Sequence, residues 1–104
     1  MAISNVQNEG PWLRVYDEKS KKISEMSSSN KELVGIGSDF FVTVEGPWIR
    51  LYDEKCKKIS EMSSSNKTVR TAAGQTFTTL EGPWLRTYDK KCKKISEEEY
   101  YLGW

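Results

Sequence analysis
The chain predicts an all-β fold, and three observations carry that reading. Near-copies of one segment begin at Glu9, Glu45 and Glu81, a constant 36 residues apart, so one supersecondary unit recurs and its copies must bury their apolar faces on one another. Within each copy the apolar residues fall in short alternating runs rich in β-branched and aromatic side chains. Gly-Pro pairs and Ser-Asn clusters cut those runs too short for a competing helix.

The elements follow in order from the second copy, 39–74. Phe40-Phe41-Val42-Thr43-Val44-Glu45 reads as a strand, and Gly46-Pro47 as the turn into an antiparallel partner, Trp48-Ile49-Arg50-Leu51-Tyr52-Asp53. Glu54-Lys55-Cys56-Lys57 has no aliphatic or aromatic residue and forms a hairpin tip before the strand Lys58-Ile59-Ser60-Glu61-Met62. A weaker strand, Lys67 to Ala73, follows the Ser63-Ser64-Ser65-Asn66 turn. The first copy, 1–38, opens with Ser4 to Asn8 in place of Phe40 to Val44. The third, 75–104, stops after its hairpin, where Glu97 to Tyr101 suits a turn of helix, and either the aromatic tail or a second chain suits closure of an open sheet edge. The three units form a single domain.

Register sorts the hairpin faces. Pairing Tyr16 with Ile23 sets Arg14 opposite Glu25, Leu13 opposite Met26 and Trp12 opposite Ser27, so Trp12, Arg14, Tyr16, Ile23 and Glu25 share one side. Leu13, Val15, Ser24 and Met26 take the other. The hairpins 9–31 and 45–67 agree at 20 of 23 positions, while the connecting stretches 32–44 and 68–80 agree at 2 of 13. Different packing of the connecting halves, because units at the ends of an array lack a full set of neighbours, is the preferred explanation.

Composition narrows the function. Sixteen basic against fifteen acidic residues leave no overall field to draw nucleic acid or an acidic membrane. No histidine is present, which removes the commonest base and metal ligand, and no Gly-rich phosphate loop or metal-ligand spacing appears. The expectation is a non-enzymatic protein without metal or cofactor. No signal peptide or membrane span is read, so the expected location is the cytoplasm. Cys56 and Cys92 occupy one repeat position that Ser20 fills in the first copy, which predicts free thiols. The neighbouring lysines are of the kind that lowers a thiol pKa.

Two candidate sites emerge. The first is Trp-x-Arg-x-Tyr three times over: Trp12, Arg14, Tyr16; Trp48, Arg50, Tyr52; and Trp84, Arg86, Tyr88. Exposed, the stripe would stack on sugars and hold an anionic group, whereas buried it would be core with each Arg neutralised by a Glu. The buried reading is preferred, since aromatics supply most of the burial available to a small domain. The second is the lysine-rich hairpin tips, above all Lys90, Lys91, Lys93 and Lys94, where Lys90 replaces a carboxylate of the other copies. Repeat number and length invite comparison with the bulb-type mannose-binding lectins, but their Gln-x-Asp-x-Asn-x-Val-x-Tyr motif meets Val44, Gly46, Trp48, Arg50 and Tyr52 here, and no mannose site carries over.

The predicted architecture has three antiparallel units around a pseudo-threefold axis, of β-prism or β-trefoil type. The alternative is half of a β-propeller closed by dimerisation. The predicted function is a binding or interaction module for a glycan or a protein. A salt-dependent polyanion or nucleic-acid binder and a purely structural assembly unit, with homo-oligomers, are the alternatives, nucleic acid being the least favoured partner.

Overall fold
The computed structural model describes residues 3–99, and all regular structure in them is strand. The first sheet is an antiparallel meander of β1 (Asn5–Glu9), β2 (Trp12–Tyr16) and β3 (Lys22–Ser27). The second holds β4 (Glu32–Ile36), β5 (Phe40–Glu45), β6 (Trp48–Asp53) and β7 (Lys58–Ser63). The third holds β8 (Thr68–Ala73), β9 (Thr76–Glu81), β10 (Trp84–Asp89) and β11 (Lys94–Glu99). The weak strand after each hairpin thus opens the next sheet, and the three-stranded sheet is the first. Glu97 to Glu99 complete β11 and are not helical, while the rest of the expected helical turn and the aromatic tail lie outside the described residues.

Turn chemistry explains the hairpins. Gly10, Gly46 and Gly82 sit at φ +63°, +61° and +63°, each followed by Pro, which suits a tight two-residue connection with glycine at its first position. At the other end of the hairpin, the Asp53 carboxylate accepts from the backbone N–H of Lys55 and Lys57 at 2.9 Å. Cys56 then takes φ +63°, as Ser20 and Cys92 do at +61° in the other hairpins. These left-handed residues close the tips, each donating its backbone N–H to the carbonyl of the Asp three residues before it, and a bulge two to three residues further on shifts the pairing.

The bulge corrects one expected pair. Arg14↔Glu25, Leu13↔Met26 and Trp12↔Ser27 stand as the alternation predicts, but Tyr16 pairs with Lys22, leaving Ile23 as the extra residue. Ile23 packs in the cluster of Leu13 and Val15 and so leaves the Tyr16 face to which simple alternation assigns it. The same shift occurs at Tyr52↔Lys58 and Tyr88↔Lys94.

The sheets pack in series through two apolar clusters. In one, Val6, Leu13 and Val15 of the first sheet meet Phe41 and Tyr52 of the second. In the other, Val42, Ile49 and Leu51 from the opposite face of the second sheet meet Phe77 and Tyr88 of the third. The middle sheet is therefore core on both faces, and Phe40, Phe41, Val42 and Thr43 are all fully buried. In the third sheet Thr76 and Thr78 stand at the places of Phe40 and Val42 and are half-buried, so the divergent connecting strands follow the number of neighbours each sheet has.

The sheets approach most closely at β4 and β8, with β1 beside β4. The contact is tight enough that a Cβ on Gly35 would lie 3.0 Å from that of Ala72. No element pair of β2 and β3 against β6 and β7, or of β6 and β7 against β10 and β11, comes comparably near. The sheets diverge outward from their β4–β8 side, within overall extents of 43 × 27 × 25 Å.

Candidate functional site
The predicted Trp-Arg-Tyr stripe exists as one face of each hairpin, and tertiary packing divides it into three zones. The tryptophans are exposed to nearly the same degree, 39% at Trp12, 40% at Trp48 and 38% at Trp84. Trp48 gains no cover from the first sheet, because that sheet packs over the tyrosine end of the stripe. Tyr52 and Tyr88 are buried and stack on Phe41 and Phe77, with ring centroids 5.4 Å apart in both pairs. Tyr16 has Asn5 opposite it in place of Phe and no sheet over it among the described residues, and it is half-buried.

The arginines lie between, each held by two carboxylates. Arg50 donates from Nη1 to Glu45 at 2.8 Å and from Nε to Glu61 at 2.8 Å. Arg14 bridges Glu9 and Glu25 in the same way, and Arg86 bridges Glu81 and Glu97. The expected Arg50–Glu61 pair is thus present, with both side chains about a third exposed. Hydrogen bonds to Glu45 and Glu61 hold the Arg50 guanidinium above its ordinary pKa.

Sequence reasoning missed the central member of this network. Glu45, at the end of β5 beside the Gly-Pro turn, accepts from Tyr52 Oη at 2.6 Å, Thr43 Oγ1 at 2.7 Å and Arg50. Glu81 receives the same three donors from Tyr88, Thr79 and Arg86. Burial pushes both carboxyls up, yet the donated hydrogen bonds outweigh it and leave them below the ordinary carboxylate value. Burial and then the carboxylate push Tyr52 and Tyr88 up to about 12. The available signal was the constant Glu two residues before each Pro, three positions from Trp. Its role needed the fold, because Glu45 and Tyr52 lie on different strands.

The lysine tips are only partly engaged in ion pairs. Lys90 Nζ lies 3.0 Å from both carboxylate oxygens of Asp39, which pairs the charge introduced where the other copies have Glu. Lys94 donates to Glu97 at 2.8 Å, as Lys22 and Lys58 do to Glu25 and Glu61. Lys91 and Lys93 project as exposed side chains. The four lysines named from sequence thus divide, two paired and two facing solvent.

Cys56 and Cys92 are free thiols, as expected, but their surroundings differ from the expected basic one. Each turns inward from its tip against the preceding sheet, where Cys56 Sγ lies 3.2 Å from Ser24 Oγ and Cys92 Sγ lies 3.3 Å from Ser60 Oγ. Burial raises both thiol pKa values, so the expected lowering by lysines is corrected. Among the described residues no group of three His, Cys, Asp or Glu side chains is placed to hold a metal ion, and no helix is long and apolar enough to cross a membrane. Compared with models of known protein families and with characterised proteins, the chain matches none.

Proposed function
We propose that this chain is a non-enzymatic interaction module whose end sheets are docking faces for protein. The carrying observation is the contrast between equivalent side chains on the three sheets. Leu13 and Ile49 are fully buried but Leu85 is not, and Ile23 and Ile59 are half-buried while Ile95 is 57% exposed. The Leu85–Ile95 face of the third sheet has the pattern of an interior surface and nothing upon it among the described residues. Serial packing with divergence from one side favours the propeller-type arrangement of 36-residue units over a prism or trefoil closed around a threefold axis.

Glycan and polyanion recognition receive less support. An arginine already held by two carboxylates has little to offer an anionic ligand, and stripping either partner would cost more than a surface contact returns. The test is titration with a sulfated polysaccharide and with neutral oligosaccharides, followed by tryptophan fluorescence, together with circular dichroism of Ile95→Lys. Flat titrations and a folded Ile95→Lys protein are expected. Saturable carbohydrate binding that Trp48→Ala abolishes, or an Ile95→Lys chain that unfolds, would overturn the reading.

A further inference from the structure
We infer that the partner for these end faces is a second copy of this chain, docked head to tail, with the Leu85–Ile95 face of one copy on the Tyr16 face of the next. The inference rests on the reading of the end sheets as docking faces and adds the identity of the occupant. Its template is present twice inside the chain. At the first junction Ser24 Oγ on β3 donates to the Glu54 carbonyl oxygen at 2.6 Å and touches Cys56. At the second, Ser60 Oγ on β7 donates to the Lys90 carbonyl oxygen at 2.6 Å and touches Cys92. Two junctions so alike mean that one surface of the unit is complementary to the other.

Among the described residues, the ends carry the unused halves of a third junction. Ser96 on β11 is the exposed counterpart of Ser24 and Ser60, and the Glu18 carbonyl with Ser20 is the counterpart of Glu54 with Cys56. A concavity lined by Asn5, Gln7, Tyr16, Asp17 and Ser20 lies on the first sheet where a third serine strand would seat. Substitutions on the two faces also match in kind. The internal clusters hold Val15 with Phe41 and Leu51 with Phe77, whereas the end faces carry Thr87 and Asn5 at those places. A hydrogen-bonding pair thus replaces an apolar one on both sides at once. Glu98, in the place of Met26 and Met62, keeps the outer rim of the contact wet. Such a junction is reversible, and because it is heterologous its copies either close into a ring or extend as a filament.

Disulfide trapping tests this directly. Cys56 and Cys92 are first changed to Ser, the residue already present at position 20, and Ser20→Cys with Ser96→Cys is then introduced. Ser24→Cys with Cys56 retained provides the positive control across an internal junction. Mild oxidation of the double variant should give cross-linked dimers and higher species, with either single variant at least about tenfold less reactive. An intramolecular 20–96 bridge, which would mean that one chain closes on itself, overturns the inference, and so does the absence of any bridge while the control forms. For a readout free of cysteine changes, sedimentation of the unaltered chain should show mass rising with concentration. Ile95→Lys should weaken that association by about tenfold or more, since it would bury a charge. A strictly monomeric unaltered chain defeats the inference while leaving the docking-face reading intact, whereas carbohydrate binding would defeat both.

Discussion
Removing the Glu45 carboxylate should expose how much of the fold depends on the network behind the Trp-Arg-Tyr stripe. In Glu45→Ala, the Tyr52 hydroxyl loses its acceptor on a side chain only 6% exposed, and Thr43, fully buried, keeps only a long contact of 3.5 Å to the Arg50 carbonyl. Water cannot readily replace the carboxylate there. A buried hydroxyl left without a partner costs about 1–3 kcal/mol, so two of them give an expected loss of about 3 kcal/mol. Urea denaturation followed by circular dichroism measures it, and Tyr52→Phe in the Glu45→Ala background should recover about 1 kcal/mol by deleting one stranded donor. Glu9 supplies the internal control, since its side chain is 30% exposed, its tyrosine is half-buried and Gln7 stands where Thr43 does, so water can substitute and the loss should be clearly smaller. A Glu45→Ala loss under about 1 kcal/mol, or no coupling to Tyr52→Phe, would refute the reasoning.

Other perturbations test different parts of the structure. A Cβ at Gly37 would lie 2.0 Å from the fully buried Phe40 ring, so Gly37→Ala should destabilise by about 1–3 kcal/mol, with Phe40→Leu restoring part in a denaturant melt. Tyr52 and Tyr88 have folded pKa values raised from 10.0 to about 12, so their contribution to stability is complete below pH 10 and is lost as pH rises through 12. Alkaline melts should fall in that window together with late tyrosinate absorbance, and loss of both signals well below pH 10 would contradict the network. Glu45 and Glu81 carry lowered values, so their contribution is complete above the ordinary 4.5 and is lost as pH falls below it. Denaturant melts across pH 2–6 should show this loss, diminished in Glu45→Ala. Cys56 and Cys92 should react with a thiol reagent without prior reduction, yet more slowly than in urea. Labelling that requires a reductant, or native labelling as fast as in urea, would refute the assigned surroundings.

Apart from the end of β11, the strands, their antiparallel order within each hairpin and most of the register were legible from the alternation of residues alone. Alternation of large and polar residues between Gly-Pro and the charged tip leaves one way to pair Arg14 with Glu25, and the turns at Gly46-Pro47 and Asp53 to Lys57 are local chemistry. The pairing of Tyr16 with Lys22 escaped that reading, because the extra residue of the bulge is Ile23, an ordinary strand former that alternation counts as one more paired position, and no glycine marks the place. Which face of the hairpin is core was likewise undecidable from one hairpin alone. Tertiary structure answers that the middle sheet is core on both faces, since sheets stacked in series bury opposite sides of every interior member. It also splits the stripe, burying Tyr52 beneath the first sheet while leaving Trp48 at the rim, although both side chains point the same way from β6. Pattern along a strand reports which side a residue faces. How much of that side is covered depends on where the neighbouring sheet ends, and that is a property of the assembled sheets.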